Sequence, residues 1–96
     1  MKFVVRAIIP TEAGNKMVGD PSFLGNIENY IKNTKAEQAY FFESGGHRSM
    51  TFIIDMQSTD QMASIAEPLF MMGANVEFHP VMTIEDLRKA IQNVPK

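Results

Sequence analysis

The chain has 96 residues, of which 45% are hydrophobic and 21% are charged, and its net charge is -2. This length and composition predict a single domain over residues 1–96 with a buried core, and exclude a disordered segment. The absence of cysteine excludes disulfides, thiolate metal sites and a cysteine nucleophile. Because the sequence has no basic stripe and no long apolar run, we expect a cytoplasmic protein that binds neither nucleic acid nor membrane.

The first segment predicts a β-strand. Residues 2–9 read KFVVRAII, which is rich in β-branched and aromatic types, and Pro10 ends the run. The segment is too short for a secretory signal and is interrupted by Arg6.

The next segment is helical but interrupted. Asp20 followed by Pro21 resembles an N-cap with proline at the first helical position. This pattern predicts a helix over residues 21–33, preceded by a looser turn over residues 13–18. A single kinked helix over residues 13–33 is the alternative, because the apolar spacing continues across the break.

Two strands, over residues 39–43 and 49–56, follow as a hairpin. Gly45 and Gly46 separate them, and both central residues of a type I′ turn need positive φ. The expected opposed pairs are Glu43 with Arg48, Phe41 with Met50, and Ala39 with Phe52. Opposed residues share a face of the sheet, and an ion pair is expected between Glu43 and Arg48. The face predicted to pack on helices carries Ala39, Phe41, Met50, Phe52, Ile54 and Met56. A three-residue loop would invert this assignment.

The second half of the chain predicts two helices around one strand. Ser58 with Gln61 has capping-box form, and the helix that follows contains Pro68 and ends near Gly73, which suits a left-handed C-cap. Residues 75–79 form the fourth strand.

A terminal helix follows Pro80. Thr83 with Asp86 predicts its capped start, and Pro95 ends it. Its apolar side carries Ile84, Leu87 and Ile91.

The element order predicts the fold. A βαββαβ order with an extra C-terminal helix is that of the ferredoxin-like α+β fold, a four-stranded antiparallel sheet with its helices on one face. The other face is half apolar, with Tyr40, Phe42, Ser49, Thr51, Ile53 and Asp55 beside Val4, Arg6 and Ile8. An uncovered face of this kind predicts a partner surface, and the simplest partner is a second copy. We therefore expect a homodimer whose two sheets face each other.

Four short strings carry a resemblance to a known family. They are Ala39-Tyr40-Phe41, Gly45-Gly46-His47-Arg48, Ile65-Ala66-Glu67-Pro68-Leu69-Phe70 and Val76-Glu77-Phe78-His79-Pro80-Val81-Met82. They resemble a family of small bacterial domains of unknown function within the dimeric α/β-barrel superfamily, over most of residues 39–92. The resemblance implies a dimeric α/β barrel and carries no established activity. The superfamily includes cofactor-free monooxygenases, haem-degrading enzymes, lactone isomerases, ligand domains of transcriptional regulators and stress-responsive proteins.

His79 and Arg6 are the candidate catalytic residues. His79, at the end of the last strand, is either a general base or a histidine satisfied by a backbone group. Arg6 lies in an apolar strand and needs a partner, for which Asp55 and Glu77 are the candidates. Their pairing is either an ion pair that sets the register of an interface or the polar end of a ligand cavity.

His47 and Arg48 follow the hairpin glycines. They are either exposed turn residues or ligands for an anion. The two histidines have no HxH or HxxxH spacing, so the sequence predicts neither a metal site nor a cofactor.

Aromatic residues and the eight methionines either fill the core or line an apolar cavity between sheet and helices. The candidate ligand-binding residues are Tyr40, Phe41, Arg48, Met50, Phe52, Phe70 and Phe78. The leading hypothesis is a small homodimeric domain that binds a small, largely apolar organic ligand. The first alternative is a cofactor-independent monooxygenase- or isomerase-like enzyme, with His79 as base and Arg6 or Arg48 holding an oxyanion. The second is a purely structural interaction module.

Overall fold

A computed structural model describes residues 1–95 as a four-stranded antiparallel sheet with four helices. The strands are β1 (Lys2–Ile9), β2 (Gln38–Ser44), β3 (His47–Asp55) and β4 (Asn75–Pro80). The helices are α1 (Thr11–Gly19), α2 (Phe23–Thr34), α3 (Gln61–Met71) and α4 (Ile84–Gln92). The strands are arranged β2-β3-β1-β4, and this α+β architecture is consistent with the predicted ferredoxin-like fold. None of the helices within residues 1–95 has the length and apolar character to cross a membrane.

The connection between β1 and β2 differs from both predictions, since it contains two separate helices. The carboxylate of Asp20 accepts hydrogen bonds from the backbone N–H (2.9 Å) and the hydroxyl (2.8 Å) of Ser22. These bonds lower the pKa of Asp20 and hold Pro21 in a turn rather than at the first position of a helix. Helix α1 therefore ends at Gly19, and α2 begins only at Phe23.

The β2–β3 hairpin has the predicted register. Phe41 lies opposite Met50 and Ala39 opposite Phe52, and the two glycines of the turn have positive φ. The prediction of an ion pair between Glu43 and Arg48 was wrong. The two residues lie opposite each other, but their side chains have other partners.

Each of the two charged residues has a different partner. The carboxylate of Glu43 accepts the N–H of Gly46 at 2.6 Å, because the tight turn directs that donor at it. Nη1 of Arg48 donates to Oδ1 of Asn15 in α1 at 3.1 Å. Arg48 therefore connects the hairpin to the helix layer.

Helices α1, α2 and α3 pack on one face of the sheet. The core between them contains Val5, Ala7, Ile9, Met50, Phe52, Ile54, Ile27, Tyr30, Ile65 and Leu69, all buried. Phe41, predicted to belong to this core, remains 54% exposed because β2 is an edge strand. The hydroxyl of Tyr30 donates to the carbonyl of Ile65 at 2.7 Å and joins α2 to α3.

Helix α3 has half of its predicted capping box. Oε1 of Gln61 accepts the N–H of Ser58 at 3.2 Å, but the hydroxyl of Ser58 bonds to Asp60 instead of to the helix. Pro68 lies inside the helix, and Gly73 follows it at φ 84°, in the left-handed conformation that was predicted.

Helix α4 is complete but lies apart from the core. Its predicted capping box is present, with the N–H of Asp86 donating to Thr83 at 3.2 Å and the N–H of Thr83 donating to Asp86 at 3.0 Å. No residue of α4 is buried. The radius of gyration is 15.5 Å, whereas a compact chain of this length has about 12.5 Å. The principal extents of 54 × 28 × 19 Å agree with a helix that projects from the body.

Candidate functional site

A row of polar side chains crosses the sheet face that is opposite the helices. Tyr40, Thr51, Arg6 and Glu77 lie side by side on β2, β3, β1 and β4, because each is the register partner of the next. We call these four residues the polar row. Residues that alternate with the buried positions of β1 must point to this face, as the sequence predicted for Arg6, Tyr40 and Thr51.

The rows on either side of the polar row are partly apolar. One contains Phe42, Ser49, Ile8 and Asn75, and the other contains Gln38, Ile53, Val4 and His79. We call the three rows together the open face. Phe42 is 42% exposed and Tyr40 is 57% exposed. The open face is thus mixed in character, as the hairpin register predicted.

Arg6 is held between two strands. Its Nη1 lies 4.0 Å from Oε2 of Glu77, and its Nη2 donates to the hydroxyl of Ser44. The structure therefore selects Glu77 from the two partners that the sequence allowed. Asp55 accepts instead from the amino group of Met1 at 2.7 Å, and this ammonium lowers the pKa of Asp55.

No pattern in the sequence identified Ser44 as a site residue. Its contact requires the long side chain of Arg6 to cross β3 diagonally, from β1 to the end of β2. Spacing along one strand carries no signal of such a contact.

His79 contacts Glu77 rather than a backbone group. Nε2 of the imidazole lies 2.9 Å from Oε1 of Glu77, and the histidine side chain is 56% exposed. A carboxylate partner favours the tautomer with the proton on Nε2, which leaves Nδ1 free to accept a proton. Glu77 thus contacts both candidate catalytic residues, His79 and Arg6.

This arrangement combines three chemical capacities. The imidazole of His79 can accept a proton, the guanidinium of Arg6 can donate several hydrogen bonds to one oxygen anion, and Glu77 orients both. The surrounding apolar side chains provide contacts for a carbon skeleton.

An apolar groove of 310 Å³ lies at the β2 edge, between α1–α2 and the hairpin. We call it the edge groove. Phe41, Arg48 and Met50, three of the predicted ligand-binding residues, line it together with Val18 and Leu24. Apart from Arg48 and Ser49, its described lining residues are apolar.

The other predicted ligand-binding residues lie elsewhere. Phe52 is fully buried in the core, where its ring meets that of Tyr30 at 4.9 Å. Phe70 is exposed on α3, and Phe78 packs against the ring of Phe3. The structure therefore distributes the seven candidates over the open face, the edge groove, the core and the surface.

A broad open cleft of 1460 Å³ separates α1–α2 from α3. Its floor includes Ile54 and Tyr30, and its rim carries charges of both signs, such as Glu12, Lys16 and Asp20. No local sequence pattern predicted this cleft, because the spacing between α2 and α3 depends on how segments far apart in the chain pack on the sheet.

His47 is exposed at the start of β3, away from His79 at the far end of β4. Within residues 1–95, no group of three or more histidine, aspartate or glutamate side chains is placed to hold a metal ion.

Comparisons with known proteins add no assignment. No protein-family model matches the chain, and no curated protein matches it. The fold and the geometry of the open face therefore carry the functional argument.

Proposed function

We propose that two copies of this chain pair through their open faces and enclose a site for a small organic molecule. The ligand has a largely apolar body and one anionic or carbonyl oxygen. The observation that carries the proposal is the polar row, flanked on both sides by partly apolar rows on the sheet face opposite the helices.

The apolar part of the open face favours burial. Val4, Ile8 and Ile53 are only half-buried within one chain, and Phe42 is more exposed. Removing apolar surface from water stabilises an assembly by about 25 cal/mol per Å². A two-fold axis would cover the same residues on both copies at once.

The polar row favours a ligand with an oxygen. At 4.0 Å, the contact of Arg6 with Glu77 leaves donors of the guanidinium unused. A dimer that buries Arg6 needs a further acceptor for these donors, because buried charges are costly unless they are hydrogen-bonded. An oxygen of a bound organic molecule would supply this acceptor.

Sedimentation velocity tests the pairing. We expect a dimer at micromolar concentration, and we expect Ile53→Glu to shift it to monomer by placing charges in the paired faces. Met71→Glu is the matched control, since Met71 is 85% exposed on α3. A monomeric wild-type chain, or equal effects of the two substitutions, would contradict the pairing.

Ligand binding is tested by thermal shift and calorimetry with a panel of quinols and lactones. Arg6→Gln should abolish the binding that wild-type protein shows, whereas Arg88→Gln on the exposed α4 should leave it unchanged. Binding that is insensitive to Arg6→Gln would contradict this site. The absence of binding to any compound would favour a purely structural interaction module.

A cofactor-independent monooxygenase- or isomerase-like enzyme is the second candidate. The hydrogen bond between His79 and Glu77 favours it, because an oriented imidazole beside a guanidinium suits proton removal next to a developing oxyanion. Turnover of a quinol or lactone that is lost in His79→Ala and retained in His47→Ala would support the enzyme. Equal turnover in both variants would exclude His79 as the base.

A further inference from the structure

The two outer strands of the sheet, β2 and β4, differ in how their free edges are protected. Within residues 1–95, no segment pairs with the outer side of either strand. β4 carries Glu77, His79 and Pro80, and charged side chains and proline are the means by which proteins keep a sheet edge from pairing. β2 contains no proline, its register against β3 continues without a bulge, and Glu43 is its one charged residue. β2 is therefore an unprotected edge.

The hairpin turn determines which backbone groups of β2 are free. Both turn glycines have positive φ, as in a type I′ turn, so Ser44 and His47 on either side of them form a hydrogen-bonded pair. Hydrogen-bonded positions alternate along an antiparallel strand. The N–H and C=O groups of Ala39, Phe41 and Glu43 therefore point away from β3 and need partners from water or from another strand. We call them the outward groups of β2.

The outward groups are complementary to a second copy of the same strand. When two copies of β2 run antiparallel with Phe41 opposite Phe41, Ala39 of each copy lies opposite Glu43 of the other. In this register every outward N–H and C=O has a partner on the facing strand. On the open face, Tyr40 then lies opposite Phe42, which is a favourable aromatic cross-strand pair, and no two charges of like sign are opposed.

The helix side of the sheet has room for this second strand. The side chain of Phe41 points toward the helices and yet is 54% exposed, so the helix layer ends before it covers β2. Val18 and Leu24, which line the edge groove, are 58% and 67% exposed. A two-fold axis perpendicular to the sheet keeps both helix layers on the same side. The two edge grooves then meet, and their exposed apolar side chains leave water together.

We infer that β2 pairs with β2 of a second copy, antiparallel and about a two-fold axis at Phe41, so that one continuous sheet runs through both copies. The inference goes beyond the proposed function, because it uses the edge of the sheet rather than the open face. The pairing closes at two copies, since the described part of each chain has a single unprotected edge.

The edge pairing is expected to be the weaker of the two contacts. It is one strand wide and therefore belongs to the small interfaces, below about 1,200 Å², that associate weakly. We expect it to form near millimolar concentration, above the micromolar range of the open-face dimer.

Hydrogen exchange tests the edge pairing without a change in β2. The outward N–H groups should exchange at least tenfold more slowly at millimolar than at micromolar protein concentration, because the facing strand accepts hydrogen bonds from them. The N–H of Tyr40 faces β3 and is the control, whose exchange should change less than twofold. The same protection should appear in Ile53→Glu, which disrupts the open-face dimer. Equal exchange of the outward N–H groups at both concentrations would overturn the inference.

Disulfide formation tests the register, because the chain has no cysteine of its own. Opposed residues of a hydrogen-bonded pair have Cα atoms about 5.5 Å apart, which is within the range of a disulfide. Phe41→Cys should therefore link to its own copy at least tenfold faster than Phe70→Cys, since Phe70 is similarly exposed but lies on α3. Equal rates for the two variants would overturn the inference.

A mixture of two variants tests the same register at a second position. Ala39→Cys mixed with Glu43→Cys should give a linked heterodimer. Ala39→Cys alone should not link to itself, because the two copies of residue 39 are four residues, or about 13 Å, apart along the facing strands. Ala39→Cys that links to itself as fast as it links to Glu43→Cys would overturn the register.

The proposed function and the edge pairing fail separately. If Ile53→Glu disrupts the micromolar dimer and the outward N–H groups gain no protection at millimolar concentration, the edge pairing is overturned and the paired open faces stand. If these groups are protected and the Phe41→Cys link forms while Ile53→Glu leaves the micromolar oligomer unchanged, the edge pairing stands and the paired open faces fail.

Discussion

Nε2 of His79 lies 2.9 Å from Oε1 of Glu77, two residues earlier on the same face of β4. The same carboxylate group is the nearest acidic partner of Arg6, at 4.0 Å. One acidic residue thus positions both a proton acceptor and a cation on the open face.

Removing the carboxylate should release the ring of His79. In the wild-type protein at alkaline pH, we expect the tautomer that is protonated on Nε2 to dominate, because Glu77 accepts from that nitrogen. Glu77→Ala should give a mixture of both tautomers. Nitrogen-15 NMR of the imidazole measures the ratio, and Glu43→Ala is the control at the distant hairpin. An unchanged ratio in Glu77→Ala would show that the contact does not orient the ring.

The hydroxyl of Tyr30 should contribute measurably to stability. Its bond to the carbonyl of Ile65 is buried between α2 and α3, so Tyr30→Phe should lower the free energy of unfolding by about 1 kcal/mol. Urea denaturation at neutral pH measures the difference. A variant as stable as wild type would mean that the hydrogen bond only compensates for the removal of its hydroxyl and carbonyl groups from water.

Tyr30 should also make stability depend on alkaline pH. Burial raises the pKa of Tyr30 above its ordinary value, so the folded state favours the neutral phenol. This contribution is fully present below the unfolded pKa of about 10 and is lost as the pH rises above it. The free energy of unfolding should therefore be measured from about pH 8 to about pH 11, a range that brackets the unfolded pKa. It should fall more steeply with pH for wild type than for Tyr30→Phe. Parallel curves would contradict it.

Two glycine substitutions should act in opposite directions. Gly73 has φ 84°, and an added Cβ would lie 2.8 Å from Cβ of Ala13, so Gly73→Ala should destabilise the fold by more than about 1 kcal/mol. Gly25 lies inside α2 with nothing near its Cβ position, so Gly25→Ala should stabilise it by about 0.5–1 kcal/mol. Thermal denaturation of both variants checks the two signs. The same sign for both would show that φ and space do not govern these positions.

The contact between Asp55 and the amino group of Met1 should make the stability of the protein fall at acidic pH. The ammonium lowers the pKa of Asp55, so the contribution to stability is present above the unfolded pKa of about 4 and is lost as the pH falls through the lowered value. Asp55→Asn should flatten the acid limb of the stability curve, and Asp60→Asn is the control. A curve for Asp55→Asn that matches wild type would show that this contact does not contribute to the pH dependence of stability.

Local patterns predicted much of the fold because their causes are local. The paired glycines with positive φ specify the register of Phe41 opposite Met50, since a turn of this type brings the two strands together in one way. Thr83 and Asp86 cap α4 through bonds that span three residues. Alternation along β1 likewise separates the buried side chains from Arg6.

The features that the sequence misjudged or left open depend on contacts between distant parts of the chain. Phe41 has the register of a core residue, but its exposure follows from the position of β2 at the edge of the sheet. The choice of Glu77 over Asp55 as the partner of Arg6 arose because β4 pairs with β1, and because Asp55 already meets the amino group. Ser44 likewise contacts Arg6 only because the sheet places the end of β2 within reach of the Arg6 side chain.

Sequence alone was sufficient for the strands, the hairpin register, the cap of α4 and the mixed character of the open face, because each depends on neighbours within a few residues. The order of the strands, the meeting of Arg6 with Glu77 and Ser44, and the isolation of α4 required the folded chain. Those features depend on which segments become neighbours in space, and no spacing along one strand or helix records that choice.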